Sequence, residues 1–259
     1  MHLHMLNFES FQYILSIIQE KEMDRQFTLD ELHAVVAALR GENGCPWDRA
    51  QTHESMKRNT IEEAYEVNQA VSDLSATGQA DNLCEELGDL LLQVMLHSQI
   101  AEENGEFTLE DVIDGITRKM IRRHPHVFGG ETYESDEERR AAWEAIKSQE
   151  KKDAGQQQTV RSELAEVPAA FPALIRSQKV LKKAEKNHLL SFREEDIFKE
   201  ILESVVRLQQ AAADPEKTDA LTKRLGETLF AISKLAALYH LHSEFALAEE
   251  TEHFIEEMS

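Results

Sequence analysis

The sequence predicts an all-α protein, an antiparallel helical bundle made of two tandem repeats. Three observations predict it. The 259 residues include only 10 Gly and 5 Pro, while Ala, Leu, Glu, Lys and Gln are plentiful. Apolar residues recur at helical spacing, and no segment sustains a period-2 alternation. Residues 47–124 contain no proline, which leaves room for long uninterrupted helices.

The elements follow in order. Residues 8–22 read as a short helix with Phe11, Ile14, Leu15 and Ile18 on one side. Thr28 and Glu31 have capping-box spacing and open a helix that carries Leu32, Val35, Val36 and Leu39 and stops at Gly41. GENGCPWD (41–48) is a turn-rich loop. A helix of about 20 residues runs from Glu54 to Leu74. The loop at 75–81 separates it from another spanning Asn82 to Glu103, which Asn104-Gly105 terminates. Thr108 with Asp111 starts the next helix, bearing Leu109, Val112, Ile113, Ile116 and Met120, and it ends before Pro125. Residues 125–134 read as a loop. Ser135 with Glu138 opens a helix to about Lys147, and the polar, aperiodic stretch 148–161 reads as linker. Helical sequence resumes at Pro172, with breaks near Asn187 and Pro215. The expected parts are an N-terminal helical extension (1–27), a first repeat (28–150), a linker (151–166) and a second repeat (167–259).

Charge narrows the function. The formal net charge is −21, from 49 acidic and 28 basic residues. Such a surface repels nucleic acid and anionic membranes, so neither is an expected partner. Cys45 and Cys84 form no metal-ligand spacing and no disulfide framework, which fits a reducing cytoplasm. No stretch reaches transmembrane length.

The chemistry concentrates in two acidic clusters, Glu62, Glu63 and Glu66 in IEEAYE and Glu86 and Asp89 in ELGD. At about 100° per residue, Ile61, Ala64, Val67, Val71 and Leu74 form an apolar arc, with Glu63 and Glu66 at its edge. Leu83, Leu87, Leu90, Leu91 and Val94 form the facing arc, bordered by Glu86 and Asp89. A connection of roughly seven residues makes the helices antiparallel neighbours, so the two pairs of carboxylates can converge. Their oxygens suit a hard cation such as Mg²⁺. The competing reading is a pair of solvated acidic faces, which a chain this acidic also produces.

A basic knot follows: Lys119, Arg122 and Arg123, then His124-Pro125-His126. The cations can hold phosphate oxygens or neutralise nearby acids and a helix C-terminus. The histidines can ligate metal or cap a loop. Trp47 can stack on a base or anchor packing. Lys57 and Arg58 can touch phosphate or pair with Glu54 and Glu62.

GCPWD (44–48), QTHESMKR (51–58), EEAYE (62–66), EELGDLLLQV (85–94) and KMIRRHPHVFGG (119–130) together resemble the MazG family of all-α nucleoside triphosphate pyrophosphohydrolases. The resemblance spans about residues 30–150 and continues more weakly through VPAAFPALIRSQKVLKKAEK (167–186). It implies cleavage of NTP or dNTP between the α and β phosphates, as nucleotide-pool housekeeping. It also implies Mg²⁺, with Mn²⁺ as a possible substitute, held by Glu63, Glu66, Glu86 and Asp89, and assembly as a homodimer or higher homo-oligomer. Within that chemistry one of Glu62, Glu63 or Glu66 accepts the water proton, and Glu62, which need not be fully occupied by metal, is the expected one. Lys119, Arg122, Arg123, Trp47 and Lys57 are the expected substrate contacts. The alternative is a non-catalytic nucleotide-binding or regulatory helical protein.

The second repeat departs from this pattern. KEILESV (199–205) keeps Glu200 and Glu203, but RLGETLFAISKLA (224–236) places Arg224 where the first acid would stand and Glu227 at the second. A guanidinium cannot coordinate Mg²⁺. Arg224 is expected instead to neutralise Glu200 or Glu203, leaving this repeat a structural role.

Overall fold

The computed structural model describes residues 26–155, 159–191, 193–213 and 218–258. The expected helix at 8–22 and the break at Pro215 lie outside them. Among the described residues there are twelve helices and no strand. None is long and apolar enough to cross a membrane. The chain divides into two compact units, one ending at Arg139 and the other beginning at Arg140.

In the first unit, helix α1 (Leu29–Arg40) begins with the expected capping box. Thr28 Oγ1 accepts from the Glu31 amide at 3.3 Å, and the Glu31 carboxylate accepts from the Thr28 amide at 2.9 Å. Helix α2 (Pro46–Ala50) uses Pro46 in its first turn, where no amide donor is needed. The chain folds back so tightly before it that a Cβ at Gly44 would lie 2.2 Å from the Leu39 carbonyl oxygen. Arg40, only 7% exposed, ties this corner together. Its Nε and one terminal nitrogen donate to Glu103 at 2.9 and 2.7 Å, and the other terminal nitrogen donates to the Asp48 and Gln51 carbonyls.

Helices α3 (Lys57–Thr77) and α4 (Asp81–Asn104) form the antiparallel hairpin. The turn is tighter than the sequence predicts. Only residues 78–80 connect the helices, because Gly78 takes a left-handed φ of 75° and stops α3 abruptly. Helix α5 (Leu109–Arg123) starts on the Thr108–Asp111 capping box. One turn of helix, α6 (Pro125–Phe128), occupies part of the expected loop. Helix α7 (Asp136–Asp153) crosses the boundary between the units and runs six residues past Lys147. Those extra residues are polar, so periodicity could not reveal them, yet most are good helix formers.

The core gathers Val36 of α1, Met56, Met95, Leu96 and Ile100 of α4, and Leu109 of α5, with Leu32 and Leu92 against them. The arcs expected to form the hairpin seam are largely outside it. Ile61 is 51% and Leu87 50% exposed, and Val71, Leu91 and Val94 are also exposed. Ala70 is the buried residue of α3, and Gln93 is the first buried residue along α4. A small side chain such as that of Ala70 lets two helix backbones approach.

The second unit follows α7 with α8 (Val160–Ala165), α9 (Ala173–Lys186), α10 (Glu194–Ala212), α11 (Thr218–Leu238) and α12 (Ser243–Met258). Helix α8 lies within the expected linker, opened by Thr159. Helices α10 and α11 form a second hairpin, and buried small residues, Ser204 on α10 and Thr228, Ala231 and Ser233 on α11, let the second unit's helices pack closely. Ser177 of α9 donates to Ser233 at 2.9 Å.

Candidate metal centre

The first hairpin brings Glu63, Glu86 and Asp89 together. One carboxylate oxygen from each lies within 4.8 Å of the other two. Glu86 and Asp89 are three positions apart and so share a face of α4, which is turned to Glu63 on α3. Gln93, one further turn along α4 and 4% exposed, donates its amide to Glu63 Oε1 at 3.3 Å. That residue was missed in the sequence, although its position four residues after Asp89 places it on the same face.

The electrostatics describe a site short of positive charge. Burial first, then the hydrogen bond and charge of Glu66 and the charges of Asp89 and Glu86, raise the Glu63 carboxyl above its ordinary value. Burial first, then Glu66, Asp89 and Glu85, raise Glu86. Glu66 is outside the close group of three but acts on both of these carboxyls. Carboxylates so crowded are stabilised by a hard divalent cation, and the all-oxygen donor set suits Mg²⁺ chemistry.

The other expected residues have varied surroundings. Glu62 is turned away from the cluster and accepts from Arg58 Nε at 2.6 Å. Lys57 pairs with Glu54 at 2.6 Å. Trp47 is 58% exposed on α2. Lys119 is exposed on α5, and Arg122 and Arg123 fill its last turn, where cations suit the helix dipole. His124 sits at the end of α5 with Nδ1 2.7 Å from the Met120 carbonyl oxygen, the geometry of a helix cap. His126 packs beside Tyr133, with ring centroids 5.8 Å apart.

A pair of histidines, His53 before α3 and His97 on α4, was not anticipated either. His53 and His97 stack with ring centroids 5.1 Å apart, and their Nδ1 atoms are separated by 2.8 Å. Thr60 Oγ1 contacts His97 Nε2 at 3.2 Å. Forty-four residues separate the two histidines, and nothing local in the sequence pairs them.

The second hairpin has the opposite electrostatics. Lys234 Nζ donates to both oxygens of Glu200, at 2.7 and 2.8 Å. Arg224 does not reach Glu200 or Glu203 as expected. It donates to Glu227 at 2.7 Å, because both lie on α11 at i, i+3 spacing. That bond holds the Glu227 carboxyl below its ordinary value. Glu203 lies 3.7 Å from Arg207 and 4.0 Å from Lys199. Side-chain cations pair with these carboxylates, whereas among the described residues none pairs with Glu63, Glu86 or Asp89.

Fold and site together define an all-helical protein whose carboxylate centre is suited to a divalent cation. The family model described as "MazG nucleotide pyrophosphohydrolase domain" matches residues 51–128, which include both acidic clusters and the basic end of α5. The nucleoside triphosphate pyrophosphohydrolase/pyrophosphatase MazG of Thermotoga maritima is 38% identical over 230 residues, 88% of this chain and 82% of that protein. The nucleoside triphosphate pyrophosphohydrolase of Escherichia coli K12 is 37% identical over 231 residues, 87% of this chain and 84% of the relative. The uncharacterised protein YabN of Bacillus subtilis is 37% identical over 242 residues. The match covers 93% of this chain, which spans about half (47%) of that relative's length. The chain belongs to the MazG nucleotide pyrophosphohydrolase family.

Proposed function

We propose that the chain hydrolyses nucleoside or deoxynucleoside triphosphates to the monophosphate and pyrophosphate in a Mg²⁺-dependent reaction at its first hairpin. The observation that carries this reading is the convergence of Glu63, Glu86 and Asp89 from two helices, with the Glu63 and Glu86 carboxyls raised and, among the described residues, no side-chain cation paired with the three. In this proposal those three residues and Glu66 hold the ion, and Mn²⁺ substitutes for it. When bound, the cation neutralises phosphate oxygens and eases displacement at phosphorus.

The chain's own residues do the rest. Gln93 fixes the direction of Glu63 through its amide. A water oxygen bonds to the α-phosphorus as the bond from that phosphorus to the α–β bridging oxygen breaks. Glu62 takes the water proton, which requires its ion pair with Arg58 to open first. Lys119, Arg122 and Arg123 stabilise the departing pyrophosphate. Lys57 meets a phosphate oxygen, and the exposed Trp47 indole stacks on the base.

A second copy belongs to this proposal. The hairpin leaves Ile61, Tyr65, Leu87 and Val94 exposed, as are Ile113, Ile116 and Met120 of α5, and apolar side chains left to solvent favour a partner surface. Assembly as a homodimer or higher homo-oligomer buries them. The second repeat serves structure, and the free cysteines fit a cytoplasmic setting.

Hydrolysis in ¹⁸O-labelled water tests the reaction, with a nucleotide panel supplied with Mg²⁺, Mn²⁺ or chelator. The reading expects label in the monophosphate and turnover only with metal. Label in pyrophosphate, or nucleotide binding without turnover, overturns it.

A further inference from the structure

We propose that the second unit carries a separate binding site for a small aromatic phosphate monoester, the chemical class that includes nucleoside monophosphates. The site is a cavity of about 350 Å³ where α9, α11 and α12 meet. It does not depend on the reaction proposed for the first hairpin.

The lining has two characters. Ile175, Ala237 and Phe245 supply an apolar surface, Lys179, Lys182 and His242 line it as exposed side chains, and Glu244 is the one carboxylate among the lining residues. In a chain of net charge −21, a cavity opening beside two lysines selects an anion over the repulsion of the rest of the surface. An apolar body of one ring system with a single phosphate matches the volume, which is near the lower end for ligand pockets.

The walls are held in advance. Gln178 donates to the Leu241 carbonyl at 2.7 Å and accepts from the Ser243 amide at 3.2 Å, clamping the connection between α11 and α12 from α9. A site fixed before binding loses less entropy on taking a ligand.

The first unit has the same junction and closes it. Gly105 (φ 71°) and His240 (φ 56°) occupy matching left-handed positions after α4 and α11. Matching amides follow, Glu106 to the Ala101 carbonyl at 2.9 Å and Leu241 to the Ala236 carbonyl at 2.8 Å. Three residues past each left-handed residue stands a hydroxyl. Thr108 spends its hydroxyl on the α5 cap, and the next residue, Leu109, is 4% exposed in the core. Ser243 Oγ, by contrast, is shut from solvent with no partner, as is Glu244 Oε2 beside it on the cavity wall. The Glu244 oxygen can only accept, so a ligand's phosphate stands away from it, at the lysine side of the cavity.

Calorimetry on the full chain in chelator tests this, with AMP, phenyl phosphate, inorganic phosphate and adenosine as probes. AMP and phenyl phosphate should bind at least tenfold more tightly than inorganic phosphate or adenosine. The double variant Lys179→Glu/Lys182→Glu, altered only at exposed side chains, should weaken AMP at least tenfold. Ile175→Trp, which fills the cavity, should abolish binding with the helical circular dichroism unchanged. Asp89→Asn should leave the affinity as it was. Absence of AMP binding, equal affinity for inorganic phosphate or adenosine, or binding lost in Asp89→Asn but kept in the lysine variant overturns the proposal.

Discussion

Lys234 Nζ sits 2.7 and 2.8 Å from the two carboxylate oxygens of Glu200, so the second hairpin carries its own counter-charge. Lys234 is 18% exposed at its side chain, so this pair is only partly screened by water. Lys234→Met should therefore lower stability by about 1 kcal/mol, read as a fall in Tm. Pyrophosphate release should be unchanged. A loss of turnover in the folded variant would place chemistry in the second repeat.

The first hairpin has the reverse bias. Glu86 is crowded by Glu66, Asp89 and Glu85, in addition to the burial that raises it. Removing one charge relieves that repulsion, so Glu86→Gln should melt at a higher temperature than the wild type in chelator. Added Mg²⁺ should then raise the wild-type Tm and leave the variant nearly still. Equal shifts in both proteins would remove Glu86 from the site.

Gln93 stands one step behind a proposed metal ligand. Its amide reaches Glu63 Oε1 at 3.3 Å, and Gln93→Ala frees that carboxylate to rotate. Loss of such a supporting bond costs roughly 10–100-fold in metal affinity. The Mg²⁺ concentration giving half-maximal turnover should rise by that factor, with activity restored at high Mg²⁺. A Mg²⁺ dependence identical to that of wild type would show that the bond does not position the ligand.

Acid should loosen the first unit through the histidine pair. Burial first, and the charge of His53 second, depress the His97 ring below its ordinary value. The folded state then favours the neutral ring, and the unfolded chain binds the proton more readily. The contribution is complete above the unfolded value near pH ~6.5 and is lost as pH falls through the lower folded one. The stability difference between wild type and His97→Gln should be constant above neutral pH and should change in this sense below it. A difference independent of pH from 5 to 8 would contradict this.

Arg40 predicts the largest structural effect. It is buried with a two-pronged bond to Glu103 and bonds to two backbone carbonyls, joining α1, the α2 corner and the end of α4. Arg40→Ala strands those acceptors and should destabilise the protein by about 3 kcal/mol, measured by urea denaturation. A change below ~0.5 kcal/mol, the range of an ordinary surface substitution, would refute that role.

The parts legible in sequence were those fixed by local rules. Thr28–Glu31 and Thr108–Asp111 are local capping signals, and both helices start where those signals place them. Glu86 and Asp89 share a face because helix geometry requires it. What stayed hidden depends on tertiary contact. Arg40 finds Glu103, His53 finds His97, and Gln93 finds Glu63 across the fold. The arcs through Ile61 and Leu87 were read correctly as apolar, but periodicity cannot say whether their partner lies in the same chain. Arg224 was expected across the hairpin and instead found Glu227 one turn along its own helix.

Pyrophosphate release with Mg²⁺, followed in parallel for wild type, Asp89→Asn and Glu200→Gln, tests the central claim most directly. Asp89→Asn should fold normally and release no pyrophosphate above background, while Glu200→Gln should keep the wild-type rate. Full activity in Asp89→Asn, or its loss in Glu200→Gln, would contradict the assignment of catalysis to the first hairpin.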